Sequence, residues 1–278
     1  MGLAEKLLVV FIAAQLLGFF TGFVLVKDSN DNPYAQSFFV DQDTSDVSTP
    51  FYFFIYIIFS SFLLLMLVRL FPNKGLMFKL LEFLIIASAS SIVFYSFLRF
   101  AFSYEESMLG GIALGLVLAF MKFNSLPVKN LVAIISTAGV GVVFGLSFQI
   151  IPIFIFIVLL AIYDYIAVFK TKHMVELAEF VMKQDLAFTI TVRQKPKAEG
   201  ERERLDLGTG DLIVPIATEM SAFAFNPISA LFVFAGATIS LYAFIYIASR
   251  KKMILPALPP IVFGMAIFFA IGKLIGFY

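Results

Sequence analysis

IPIFIFIVLLAIYDYIAVFK, residues Ile151 to Lys170, carries one acid, Asp164, in a run otherwise free of charge until its last residue. About twenty apolar residues is what a helix needs to cross the roughly 30 Å hydrocarbon core of a bilayer. The stretch therefore reads as a membrane span with a charge where charge is expensive. The rest of the chain agrees: of 278 residues 61% are apolar and 14% charged, and the mean hydropathy is +0.98. A soluble domain runs nearer about half apolar and about a quarter charged. Working outward with the same ruler gives nine spans: Leu7 to Val26, Tyr52 to Phe71, Phe83 to Phe102, Met108 to Met121, Leu131 to Phe148, Ile150 to Phe169, Asp211 to Phe225, Ile228 to Ala248 and Leu255 to Ile275. The first exceeds the roughly 7–15 residues of a secretory signal core, and no small-residue cleavage site follows it, so it reads as a retained helix.

Orientation follows from Lys and Arg, which cytoplasmic loops retain. With the N-terminus inside, 17 of the 20 basic residues fall on the cytoplasmic side, and only Lys27, Arg99 and Lys273 fall outside. The first outer loop carries Asp28, Asp31, Asp41, Asp43 and Asp46 instead. The expected fold is all-α: a polytopic membrane protein with nine transmembrane helices, N-terminus cytoplasmic and C-terminus outside. Residues 1–170 hold helices one to six, 171–207 form a cytoplasmic loop, and 208–278 hold helices seven to nine. Within the loop, Met174 to Lys183 has the spacing of an amphipathic interfacial helix. Ala187 to Val192, AFTITV, alternates like a strand, and the charged RQKPKAEGERER after it reads as a mobile connection. GxxxG spacings at Gly18/Gly22, Gly111/Gly115, Gly141/Gly145 and Gly272/Gly276 predict close helix contacts inside one bundle, with dimerisation as the other reading. No repeat of fixed period and no matched pair of broken helices is visible.

Composition also excludes chemistry. A net charge of +1 offers no basic surface to nucleic acid, and the absence of cysteine removes disulfides, thiolate metal sites and cysteine nucleophiles. One histidine, His173, cannot build a multi-histidine zinc site or easily serve a serine triad. No metal or organic cofactor is expected, and the burden falls on carboxylates.

An aspartate at the centre of a span costs roughly 2.5–3.5 kcal/mol on insertion scales. Two aspartates incur it. Asp164 lies six residues before Lys170, about 9 Å from that end of its helix. Asp211 closes Gly208-Thr209-Gly210-Asp211 at the head of the next span. Span six runs toward the cytoplasm and span seven away from it, so the acids share a depth and can face each other. Two close carboxylates in a low-dielectric site do not both ionise easily, and the pair holds one proton between them. That is aspartic-protease machinery: one acid takes a proton from water while the other polarises the scissile carbonyl. The plainer reading is that Asp164 bonds a tyrosine hydroxyl and Asp211 caps its helix. Matched depth favours a site.

Tyr163-Asp164, Gly208-Thr209-Gly210-Asp211 and Pro256-Ala257-Leu258, in spans six, seven and nine, resemble the YD, GxGD and PAL motifs of the presenilin and signal peptide peptidase family of intramembrane aspartyl proteases. The resemblance implies that Asp164 and Asp211 are the catalytic pair, and that Pro256, Ala257 and Leu258 shape the substrate side of the site. The inside N-terminus matches the presenilin branch. The chain lacks the long N-terminal tail and large hydrophilic insertion of animal presenilins, and in this it is similar to a compact archaeal homologue.

Each motif also has a reading without the family. Gly208 and Gly210 suit a close backbone passage or φ > 0, or else merely end a loop. Tyr163 offers a hydroxyl beside the acid, or packs. Pro256, with Pro259 and Pro260, loosens a helix start, or kinks a membrane helix. A helical substrate must unwind before water reaches its amides, and the freed backbone can pair with Ala187 to Val192 or with Leu205 to Leu207 by strand addition. Glu219, about 12 Å beyond Asp211, is too far to be its partner and reads as satisfying a polar neighbour or lining a water path. His173 and Glu82 read as solvated span ends, and Arg99 as reaching the outer headgroups.

The expected function is hydrolysis of peptide bonds in transmembrane substrate helices. The rival is a transporter or ion-leak channel using the same aspartates; a prepilin-peptidase-like protease would share GxGD but not the other two motifs. Expected partners are transmembrane protein substrates and the lipid bilayer of the cell membrane, with an oligomer open.

Overall fold

The computed structural model describes residues 2–31, 48–70, 75–122, 126–171, 180, 186–193, 204–251 and 256–278. Among them each of the nine apolar runs is a helix: α1 Leu3–Asp31, α2 Thr49–Leu70, α3 Gly75–Leu98, α4 Tyr104–Met121, α5 Leu126–Leu146, α6 Ile150–Ile166, α7 Gly210–Phe225, α8 Pro227–Lys251 and α9 Leu258–Leu274. A π turn, Ala167–Thr171, continues α6. Seven helices, α1 to α6 and α8, are long and apolar enough to cross a membrane, and α9 is a shorter apolar helix of 17 residues. The amphipathic stretch 174–183 lies, except for Phe180, outside the described residues, as do His173 and the 194–203 connection.

At 16 residues α7 spans only about 24 Å, and it sits at the centre. Leu212 and Val214 to Ala222 are buried, in a helix that packs against α1, α5, α6, α8 and α9. Glycine makes that enclosure possible, because lipid gives helices no hydrophobic reason to associate and close backbone approach must supply the attraction. A Cβ at Gly18 would meet Ile216, and one at Gly145 would come within 2.7 Å of the Ala217 Cα. Gly111 and Gly115 press α4 onto the Ser91 and Ala87 backbone of α3. Gly272 abuts Phe232 and Tyr278, but Gly276 lies past the end of α9 at φ +82° with open space beside it, so the fourth spacing is a helix end and not a packing pair.

The strand-like segment is a strand with a partner. β1, Thr189–Arg193, pairs antiparallel with β2, Arg204–Gly208, in the register Thr189↔Gly208 to Arg193↔Arg204. The two segments read separately as places for substrate backbone bind each other. Asn130 of α5 closes β1's other edge at Thr191, donating Nδ2–H to its carbonyl (2.8 Å) and accepting its N–H on Oδ1 (3.2 Å).

Three charged side chains depart from expectation. Arg99 does not reach outward. Its Nε and Nη2 bond Asp28, which also accepts the Tyr95 hydroxyl, tying α1 to α3. Glu82 is buried at 1% exposure and paired with Lys122. A charge read as solvated is in both cases held by an opposite charge from another element, which spacing along one helix does not show. Glu219 is fully buried, and neither carboxylate oxygen has a hydrogen-bond partner among the described residues, so the polar neighbour expected for it is not found.

Candidate active site

Asp164 stands in the last turn of α6, just before the π turn, and Asp211 in the first turn of α7. α6, α7 and α9 pack against one another, and this brings the three motifs to one end of the bundle. Both carboxylates are half-buried, and Asp211 lies within electrostatic range of Asp164.

Each acid has a backbone N–H close by. The Asp164 carboxylate lies beside the backbone N–H of Leu258 and the Asp211 carboxylate beside that of Gly208. The first has a local cause. A helix leaves its first N–H groups without intrahelical partners and carries partial positive charge there. Residues Pro259 and Pro260 hold the next two positions of α9 and have no N–H to offer. Leu258, the first residue of α9, supplies the donor. The proline-rich helix start therefore aims its remaining N–H at an acid on another helix, and Pro256, Ala257 and Leu258 are all buried there. Motif spacing could place this segment near the site but could not reveal a contact made by its backbone.

The second acid is held by the hairpin. β2 ends at Gly208, and Thr209 starts α7 in a helical conformation (φ −63°, ψ −27°). Its N–H and Oγ1–H both donate to the Phe188 carbonyl, at 3.0 and 3.2 Å, which ties the tetrad to the root of β1. A Cβ at Gly208 would sit 3.4 Å from Asp211 Oδ2, an ordinary contact, so the acid lies against this residue without demanding a glycine there. Gly210 is exposed with nothing near, and neither glycine takes a positive φ. The structure gives neither glycine a steric or conformational reason.

Tyr163 turns toward α2. Its hydroxyl donates to Ser61 Oγ (3.0 Å), and its ring stands edge-on to Phe54. Of the nine residues expected at the site, Asp164, Asp211, Gly208 and Leu258 are joined by contacts at the acids. Thr209 anchors the tetrad from behind, and Tyr163 is tied to the neighbouring helix.

The sequence profile described as signal-peptide peptidase, presenilin aspartyl protease matches residues 8–277. The chain belongs to that family. It is an intramembrane aspartic protease and a multi-pass membrane protein. Among solved structures it is similar to a presenilin family intramembrane aspartate protease in space group C222, with TM-score 0.71 and 20% identity over 98% of this chain and 99% of that one. A second structure, in space group P2, gives 0.64 and 22% over 95% and 97%. At such identities the likeness is one of fold. Among curated protein sequences none matches.

Proposed function

We propose that Asp164 and Asp211 are the catalytic dyad of a presenilin-type protease that cuts the transmembrane helices of other membrane proteins. The reading rests on two carboxylates within electrostatic range at the meeting of α6, α7 and α9. One dyad proton is shared. The ionised carboxylate takes a proton from water, and the resulting hydroxide oxygen bonds to the scissile carbonyl carbon as the protonated carboxyl gives its proton to the carbonyl oxygen. The tetrahedral diol then collapses, the C–N bond breaks and the leaving nitrogen receives a proton, so that the new ends are a carboxyl and an amine. Leu258 N–H and Gly208 N–H orient the two acids, while Tyr163, Thr209, Gly210, Pro256 and Ala257 shape the surroundings.

In this reading the nine helices all cross the bilayer, with the N-terminus and the hairpin cytoplasmic and the C-terminus outside, as the basic residues favour. Residues 1–170 carry the first six spans, 171–207 the loop and 208–278 the last three. α7 is short for a span, but Val214 to Ala222, more than two of its turns, are buried in protein.

Strand addition supplies the extended substrate. Asn130 occupies β1's outer edge, and the sheet has two strands among the described residues, so the outer edge of β2 is where a third strand would join. Because Thr191 turns its N–H and carbonyl away from β2, antiparallel alternation turns those of Arg204, Asp206 and Gly208 to that outer edge. The edge ends at Gly208, beside Asp211. Proline at Ile190, inside the ladder, is expected to abolish cleavage; unchanged cleavage would remove the strand-addition step.

The deciding experiment mixes purified protein with a single-span substrate. Two complementary peptides with the native chain, and none with Asp164→Ala or Asp211→Ala, support the protease. Ion flux in liposomes that responds to those substitutions, with no peptide ever cut, would make the chain a transporter.

A further inference from the structure

Glu82 has no part in the chemistry above, yet it is among the most buried charges in the chain. It lies on α3 at 1% exposure, and one carboxylate oxygen accepts the ammonium of Lys122, itself 6% exposed, at the end of α4. Burying a carboxylate is costly unless partners occupy its oxygens. The second oxygen accepts the backbone N–H of Ala187. Joining α3 to α4 does not require this arrangement, because Gly111 and Gly115 already set the α4 backbone against Ser91 and Ala87. What the second oxygen adds is a hold on the hairpin.

From Ala187 the path to the site is short. The next residue, Phe188, gives its carbonyl to both donors of Thr209, and two residues later stands Asp211. Leu186 and Ala187 are 2% exposed, Leu186 among Leu65, Val68 and Phe78 and Ala187 among Ile86, Leu118 and Val132. The root of β1 is thus embedded, and its N–H is directed at a carboxylate.

We infer that Glu82, charged and aimed by Lys122, is a positioning residue of the protease: through Ala187 N–H and the Phe188 carbonyl it fixes the GxGD tetrad and the hairpin relative to Asp164. The inference rests on the dyad reading. Asn130 secures the hairpin further along at Thr191, and Glu82 sets the end nearest the acids. If the root of the hairpin shifts, Asp211 and the edge offered to substrate shift with it. Misplacement of about 1 Å costs on the order of 10²-fold in rate.

The test compares two neutral replacements of the buried pair in full-length protein. Glu82→Leu with Lys122→Leu removes both charges together, leaving no lone buried ion, and deprives Ala187 of its acceptor. Glu82→Gln with Lys122→Leu is equally neutral but keeps an oxygen for Ala187. Rates are taken per folded molecule, from circular dichroism and monodispersity in detergent, and product masses locate the cut. With the Leu pair, kcat is expected to fall about 10²-fold with KM little changed, and the cut to move or spread to neighbouring bonds. The Gln pair should recover most of kcat and the native cut position. A purely structural clasp would lower the yield of folded protein for both alike and leave the cut where it was. Native kcat and native products with the Leu pair, or a Gln pair no better than the Leu pair, would overturn the inference. Failure of the protease reading itself would show separately, as an unmodified chain that cuts nothing.

Discussion

α7 and α2 are opposite kinds of membrane helix. α2 has 22 residues, and its less exposed side is one stripe, Phe53, Phe54, Ile57, Ser61, Leu65 and Val68: Phe54 and Ser61 meet Tyr163 of α6, Phe53 meets Phe144 and Phe148, and Leu65 and Val68 lie with Phe78 and Leu186, while Tyr56 and Phe59 are exposed by 66% and 62%. α7 has 16 residues, contains Pro215, Thr218, Glu219 and Ser221, and is almost wholly enclosed. The more apolar helix is the less buried one. In a bilayer, hydrophobicity marks the surface that meets lipid, whereas enclosed helices are free to carry small and polar residues so long as neighbours fit them. The acid beside the proposed chemistry sits on the enclosed helix.

The sharpest test of that contrast is bulk at the α7 contact. Gly145→Leu on α5 drives a side chain into the Ala217 backbone, and a loss of about 3 kcal/mol or more is expected, read as lost folded protein or a large drop in thermal midpoint in detergent. Tolerance of leucine there would break the claim that α7 is tightly enclosed. A smaller effect belongs to the polar tie of α2 at Ser61. Ser61→Ala removes the bond from Tyr163 and should cost about 0.6 kcal/mol, the usual worth of such a bond between membrane helices. A loss as large as that of Gly145→Leu would mean that α2 is held far more firmly than its one stripe suggests. The smallest effect is on the exposed face: Phe59→Leu should leave the stability within about 0.5 kcal/mol of native, and a marked drop in the thermal midpoint would show that this face meets protein.

The same contrast explains what the sequence disclosed. Nine helices were legible because apolar runs of span length leave few other structures. The two acids were legible because a charge is conspicuous in such runs. Less legible was everything made by partnership across elements. Glu82 and Arg99 sat near span ends and looked solvated, since Lys122 and Asp28 are distant in sequence. The strand-like stretch 187–192 was visible, and Leu205 to Leu207 only as a place for substrate backbone; that the two pair with each other, or that Asn130 covers one edge, was not. The approach of Leu258 to Asp164 is made by backbone, and residue types alone do not specify it. Glu219 remains a buried acid for which the structure offers no physical account.

The claim beneath the account is that Asp164 and Asp211 act as one unit on one water. Groups that act as a unit lose their effect together, so single and double replacements fall to the same floor. Cleavage of a single-span substrate should be measured for the native chain, Asp164→Asn, Asp211→Asn and the double variant, each shown to be folded. The account predicts a loss of about 10³-fold or more in all three, with the double variant no slower than the singles. A single variant that cuts at near-native rate, or losses that multiply in the double, would contradict it.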